Sequence, residues 1–258
     1  MKIKNNIFDV GAFNGLDGLI LALKNQNVIV HAFEANPDLI KVIQNNKKKI
    51  EQYKKIKINN YKINNCAVTN KNCLLMFNVA KNPTVSSLNS FSKNIDKTWP
   101  GYKEAHCTVV KKIKVKAITL DKYCTDKDIR KINYLHIDTQ GSDLNVLKGL
   151  KKYIEIVENG VVEAAVDKKN SLYQKNHTVS EVKKFLNNNN FKVSKIESVD
   201  ENIKKEKNIY FSKKNIIETD KLNTKYNLRY YNRLISNRLT FKDKLFDSLK
   251  KFVNLNFL

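Results

Sequence analysis

The stretch Asn6-Ile-Phe-Asp-Val-Gly-Ala-Phe-Asn-Gly-Leu-Asp17 holds the chain's most concentrated chemical signal. Ile7, Phe8 and Val10 read as a strand, and Asp9 falls at its end. Gly11 and Gly15 bracket a short turn, and an apolar helix follows from Leu16 to Leu23. A strand, a glycine turn and a helix start make a seat for a nucleotide-like ligand. The glycines let backbone come close, and the helix N-terminus aims N–H groups at what is bound. Glu34 ends the next apolar run, which contains Val28, Ile29 and Val30. It lies about 20 residues beyond the glycine turn, the distance at which an open α/β sheet sets a carboxylate against ribose hydroxyls. The phosphate signature G-x-x-x-x-G-K-[ST] is absent, which argues against a P-loop. The dinucleotide spacing G-x-G-x-x-G is absent too; the pattern here is D-V-G-x-x-x-G.

Three motifs, in order, resemble those of the FkbM-type S-adenosylmethionine-dependent methyltransferases. Asp9-Val-Gly-Ala-Phe-Asn-Gly15 is similar to the family's D-V-G-A-N-x-G, with Phe13 where Asn is usual. Phe33-Glu-Ala-Asn-Pro37 is similar to F-E-P-N-P, and Ile137-Asp-Thr-Gln-Gly-Ser-Asp-Leu-Asn-Val-Leu-Lys-Gly149 to I-D-x-[EQ]-G-x-[ED]-x-x-V-L-x-G. The resemblance spans about residues 6 to 212. It implies a doubly wound, Rossmann-like class I methyltransferase sheet of the α/β class, with S-adenosyl-L-methionine as cofactor. It places the cofactor-binding set at Asp9, Gly11, Ala12, Phe13, Asn14, Gly15, Asp17, Glu34, Ala35, Cys66, Ala67 and Asp138, with Glu34 on the ribose and residues 65–67 beside the adenine. It also implies O-methylation of a hydroxyl on a sugar, glycan or secondary metabolite. Asp138, Glu163 and His177 are the candidates for a catalytic base. Gln140 stands where many relatives have Glu, and an amide cannot serve as a base.

Certain elements must position these residues. Strands are expected over 3–10, 28–34, 57–68, 72–80, 109–115, 132–137 and 157–166, with a closing antiparallel pair over 191–196 and 208–212. Helices are expected over 16–25, from Asn36-Pro37 onward, from Thr119 to about Arg130, over 142–149 with Gly149 as C-cap, and over 179–186. Residues 81–108 lack periodicity, and long irregular segments in domains are often functional. Ser86 to Leu88 and the region of Trp99 are therefore read as facing the acceptor, with His106 a weaker base candidate. Glu163, set among Val161, Val162, Ala164 and Ala165, is expected to face the cleft, because a buried carboxylate without a partner is costly.

The sequence has 48 Lys and Arg against 25 Asp and Glu, a net charge of +23. Such a balance points to nucleic acid, anionic lipid or an acidic glycan, or to solvated charge alone. The even spread of Lys and the scarcity of Arg favour solvated charge, which makes RNA the weaker acceptor. Four cysteines without C-x-x-C spacing argue for a reduced, cytoplasmic chain without a metal site. No apolar run is long enough to span a membrane. Residues 1–213 read as the methyltransferase domain and 214–258 as a basic helical tail. In the tail, Leu228, Tyr231, Leu234, Ile235 and Leu239 recur at helical spacing, and a second amphipathic helix follows Thr240. Such a tail could pack on the domain, form a homodimer, or lie on the inner membrane surface. A catalytically inactive binding module with the same fold is the remaining alternative.

Overall fold

The buried apolar runs and the amphipathic stretches between them fold as a doubly wound α/β sheet. In the computed structural model, residues 5–200, 203–213 and 228–238 are described. The chain runs β1 (Asn5–Val10), α1 (Leu16–Lys24), β2 (Val28–Glu34), α2 (Pro37–Lys54), β3 (Tyr61–Asn65), β4 (Ala67–Val68), β5 (Cys73–Ala80), α3 (Ile95–Thr98) and β6 (Val109–Ile118). It continues through α4 (Leu120–Asp126), β7 (Tyr134–Ile137), α5 (Asp143–Lys148), β8 (Asn159–Ala165), α6 (Val179–Asn188), β9 (Phe191–Asp200), β10 (Ile203–Lys213) and α7 (Leu228–Ile235).

The main sheet has the order β3-β2-β1-β7-β8-β10-β9. Its first five strands are parallel. β10 runs antiparallel to both β8 and β9. Because helices cover both faces, the central strands are apolar almost throughout: Ile7, Phe8 and Val10 are each at most 1% exposed. From β1 the chain winds outward through β2 and β3, then returns to β7 on the other side of β1. The topological switch point therefore lies between β1 and β7, and ligands bind at the carboxyl ends of strands at such a point.

α1 and α2 pack on one face with Leu19, Ile43, Ile50 and Tyr61, and α7 closes over them. Leu234 of α7 is 4% exposed, and the Lys49 ammonium donates to the Ile235 carbonyl at 2.7 Å. The opposite face is built on α4, α5 and α6 with Leu120, Leu147 and Leu186. His31 is locked between these layers. The amide nitrogen of Asn6 donates to the Lys131 carbonyl, so Asn6 Oδ1 must accept from His31 Nε2, and Nδ1 is left to accept from the Tyr123 hydroxyl. Burial holds this imidazole neutral, its pKa lowered to about 4.

Several elements depart from their sequence reading. The alternation over 57–68 gives two strands instead of one. The Asn65 amide donates to the carbonyls of Glu34 and Ala35, which ends the pairing with β2. Ala67–Val68 then joins a second sheet of order β4-β6-β5. The helix from Leu120 stops at Asp126 and not near Arg130, because Asp128 turns left-handed. Gly149 does follow α5, but with φ −69°, an ordinary helical value. Glycine is needed there because a Cβ would lie 2.3 Å from the Thr69 carbonyl oxygen. Leu239 and the second tail helix lie outside the described residues.

Candidate active site

The turn after β1 takes its shape from contacts within the protein. Gly11 has φ +89°, and a Cβ on it would sit 1.7 Å from the Asp138 carbonyl oxygen. Gly15, at φ +74°, leaves room that Ile43 and Tyr61 fill. The N–H groups of Gly11 and Ala12 both donate to the Phe33 carbonyl, that of Phe13 to Glu34 Oε2 at 2.9 Å, and that of Leu16 to Asn14 Oδ1. The glycines admit neighbouring strands and helices, and these four amides are hydrogen-bonded within the protein.

What faces the cleft is instead rich in hydrogen-bond acceptors. Glu34 ends β2 and takes one amide on each oxygen, from Phe13 and from Asn36. Burial pushes its pKa up to about 7, against the two amides, which favour the charged form. Asp9 is 2% exposed; its Oδ1 meets His136 Nδ1 at 2.9 Å, and its Oδ2 has no partner. Among the forces on His136, burial favours the neutral ring, but the hydrogen bond and charge of Asp9 prevail and raise its pKa to about 9.

Asp138 leaves β7 two residues after His136, on the same face. Burial raises its pKa, opposed by His136 and by the Gln140 amide, which donates to Oδ1 at 2.6 Å. Gln140 in turn accepts from the Tyr173 hydroxyl. Asp143 fastens the turn, taking the N–H of Thr139 on Oδ1 and that of Gly141 on Oδ2. The Ser87 hydroxyl ties residues 83–88 to the same turn by donating to the Gln140 carbonyl at 2.6 Å.

Glu163 on β8 and Glu206 on β10 lie on one face, diagonal across the antiparallel pairing. They are 7% and 6% exposed and hydrogen-bonded to each other. Two carboxyls in that contact share a proton. Burial raises both, Glu206 to about 7 and Glu163 well above its usual range.

Asp9, Ala12, Phe13, Asn14, Asp17, Glu34, Ala35, Cys66, Ala67, Asp138 and Glu163 line one cleft of about 340 Å³, together with Gly11. Its apolar wall includes Phe33, Leu39, Val68 and Phe77, and Pro83 to Ser86 with Leu88 close one side. Gly15 lies behind the turn. His177 is not brought to the cleft; its ring sits by the start of α6, 4.0 Å from Glu181. Trp99 points away, donating to the Asn170 carbonyl, and His106 is on an exposed left-handed turn. His136, Asp143 and Glu206 were not found from sequence. His136 could have been, since His-x-Asp at the end of a strand puts both side chains on one face. Six carboxyls line the cleft: Asp9, Asp17, Glu34, Asp138, Glu163 and Glu206. Among the described residues, no Lys or Arg does.

Comparison with known proteins gives a family. Residues 9–193 match the methyltransferase FkbM domain. Among solved structures, a methyltransferase FkbM from Methylobacillus flagellatus is similar at 12% identity and a TM-score of 0.49, over 81% of this chain and 43% of that one. TrmK of M. capricolum, in complex with S-adenosyl-homocysteine, is similar at 13% identity and a TM-score of 0.44, over 98% and 83% of the two chains. Magnesium protoporphyrin IX methyltransferase of Synechocystis, with S-adenosylmethionine bound, gives 9% and 0.42, over 80% and 69%. No curated protein sequence matches the chain.

Proposed function

The chain belongs to the methyltransferase FkbM family, whose methyl donor is S-adenosylmethionine, and from that premise we propose that it methylates a hydroxyl oxygen of a sugar, glycan or secondary metabolite. One observation carries this reading: a cleft at the switch point of the sheet lined by six carboxyls and His136, with no Lys or Arg among the described residues. The lining fits the donor. Ribose hydroxyls and an ammonium group are hydrogen-bond donors, and the buried, unpartnered Asp9 Oδ2 requires one. Glu34 would hold the ribose diol, Asp9 the amino group, and Cys66, Ala67 and Phe77 the adenine face.

When bound, S-adenosylmethionine supplies a methyl group already made electrophilic by the sulfonium, so the protein's task is mostly orientation. The acceptor hydroxyl must lose a proton. Asp138 would take it, with its orientation fixed by Gln140 and its basicity raised by burial. Glu163 shares a proton with Glu206, so it is the poorer base. RNA has less in its favour, since a phosphate backbone would meet six carboxyls here.

Calorimetric titration with S-adenosylmethionine tests the reading. Glu34→Ala removes two charge-assisted hydrogen bonds to the ribose and is expected to weaken binding about 100-fold. Unchanged affinity would remove Glu34 from the site, and no binding by the unaltered protein would end the methyltransferase reading.

A further inference from the structure

The basic chain has an acidic cleft, and part of that acidity is left over once the donor is accounted for. Asp9 and Glu34 lie where the donor would be held, and Asp9 and Asp138 share His136. Among the described residues, Glu163 and Glu206 have no such partner. Burial and a neighbouring carboxyl, Asp138, raise both. Buried charge in proteins is normally matched by an opposite charge. Both side chains are more than nine-tenths buried, yet both line the cleft.

We propose that Glu163 and Glu206 form a cation subsite, and that the hydroxyl acceptor carries a protonated amine, as an amino sugar or amino alcohol does. The inference rests on the methyltransferase reading and names its substrate class. One proton between two carboxyls leaves a single negative charge, matched to one ammonium. An ammonium seated there provides donors to both carboxyls, and its attachment places a neighbouring hydroxyl towards Asp138. A phosphorylated acceptor would meet repulsion from the same groups.

The test uses the full-length protein loaded with S-adenosyl-homocysteine, which fills the donor side without a sulfonium charge. Thermal unfolding is then followed with ethanolamine, ethylene glycol or glycolate. These are a cationic, a neutral and an anionic two-carbon hydroxyl compound, compared at one ionic strength. Ethanolamine should raise Tm by a few degrees at tens of millimolar, and the other two should not. In Glu206→Gln and in Glu163→Gln/Glu206→Gln the ethanolamine shift should vanish, with circular dichroism checking that each variant is folded. If the double variant does not fold, Glu206→Gln and the three-compound comparison still decide. No ethanolamine shift, an equal shift from ethylene glycol, or a shift that survives in the folded variants overturns the cation subsite. Absence of any shift from S-adenosyl-homocysteine itself would show that the donor reading, and with it this one, has failed.

Discussion

On the β1–β2 side of the cleft, the inward polar groups come from residues 9 to 34; Glu34 is held by backbone amides only a turn or a strand away, and Asp9 alone reaches across to His136. On the β7–β8–β10 side they come from residues 83–88, 136–140, 163 and 206, and side chains hold them to one another. The first side is a local structure, fixed once β1, α1 and β2 have formed. The second exists only when strands far apart in sequence have paired. The two meet where the Gly11 Cα rests against the Asp138 carbonyl.

That junction gives the largest expected effect. Gly11→Ala forces a Cβ into a backbone carbonyl and a side chain into left-handed backbone. It should cost more than about 4 kcal/mol, read as a loss of folded protein or a large drop in denaturant midpoint. A mild effect would mean that the two sides are not rigidly joined.

The ionisable groups separate the sides next. Glu34, Asp143 and Glu206 have pKa values raised to about 7, and His136 to about 9. A raised carboxyl binds more protons folded than unfolded, so its contribution is lost as pH rises from its usual range to 7. For His136 the contribution is intact below 6.5 and is lost by 9. His31, lowered to about 4, works oppositely, but only between 4 and 6.5. The ligand-free protein should thus be less stable at pH 9 than at pH 6, by on the order of 2 kcal/mol in denaturant titrations. Equal stability would contradict the buried protonation described for the cleft.

A smaller effect isolates the β1–β2 side. With Glu34 on the ribose as proposed, its ionised form is the one that binds, so S-adenosyl-homocysteine should bind about tenfold more tightly at pH 8 than at pH 6. Calorimetry should show the difference, and Glu34→Gln should abolish it. The smallest expected effect is Phe13→Asn. Phe13 has φ +49°, a region that Asn tolerates better. The change should raise stability by about 1 kcal/mol in the thermal midpoint. A loss would mean that the Phe13 ring matters more through packing than its backbone costs.

The same contrast governs what could be read from sequence. Asp9, the glycine turn, Glu34 and the Asn36 cap with Pro37 are local patterns, and the structure places them where the spacing put them. The crowding at the glycines was not legible, because it comes from Asp138, Ile43 and Tyr61, remote in sequence. Glu206 was invisible for a related reason. Among Lys204, Lys205 and Lys207 it reads as a solvated strand, and only pairing with β8 turns it inward beside Glu163. Asp143 looks like a helix-start acid until its two oxygens are seen to fasten the turn at Thr139 and Gly141. Asn65, which ends one sheet by capping carbonyls of the neighbouring strand, also depends on a partner that periodicity does not reveal.

Helix α7 bears on the order in which the molecule is completed as it leaves the ribosome. β1, α1, β2 and α2 emerge first, and domains usually begin folding from that end. Yet the surface shared by α1 and α2 is closed by Leu234, and Lys49 waits for the carbonyl of Ile235, a separation of 186 residues. The β1–β2 side, although local in its detail, therefore lacks its outer cover until residue 235 has been made. Early-made helices and later-made cover then set together across those 186 residues.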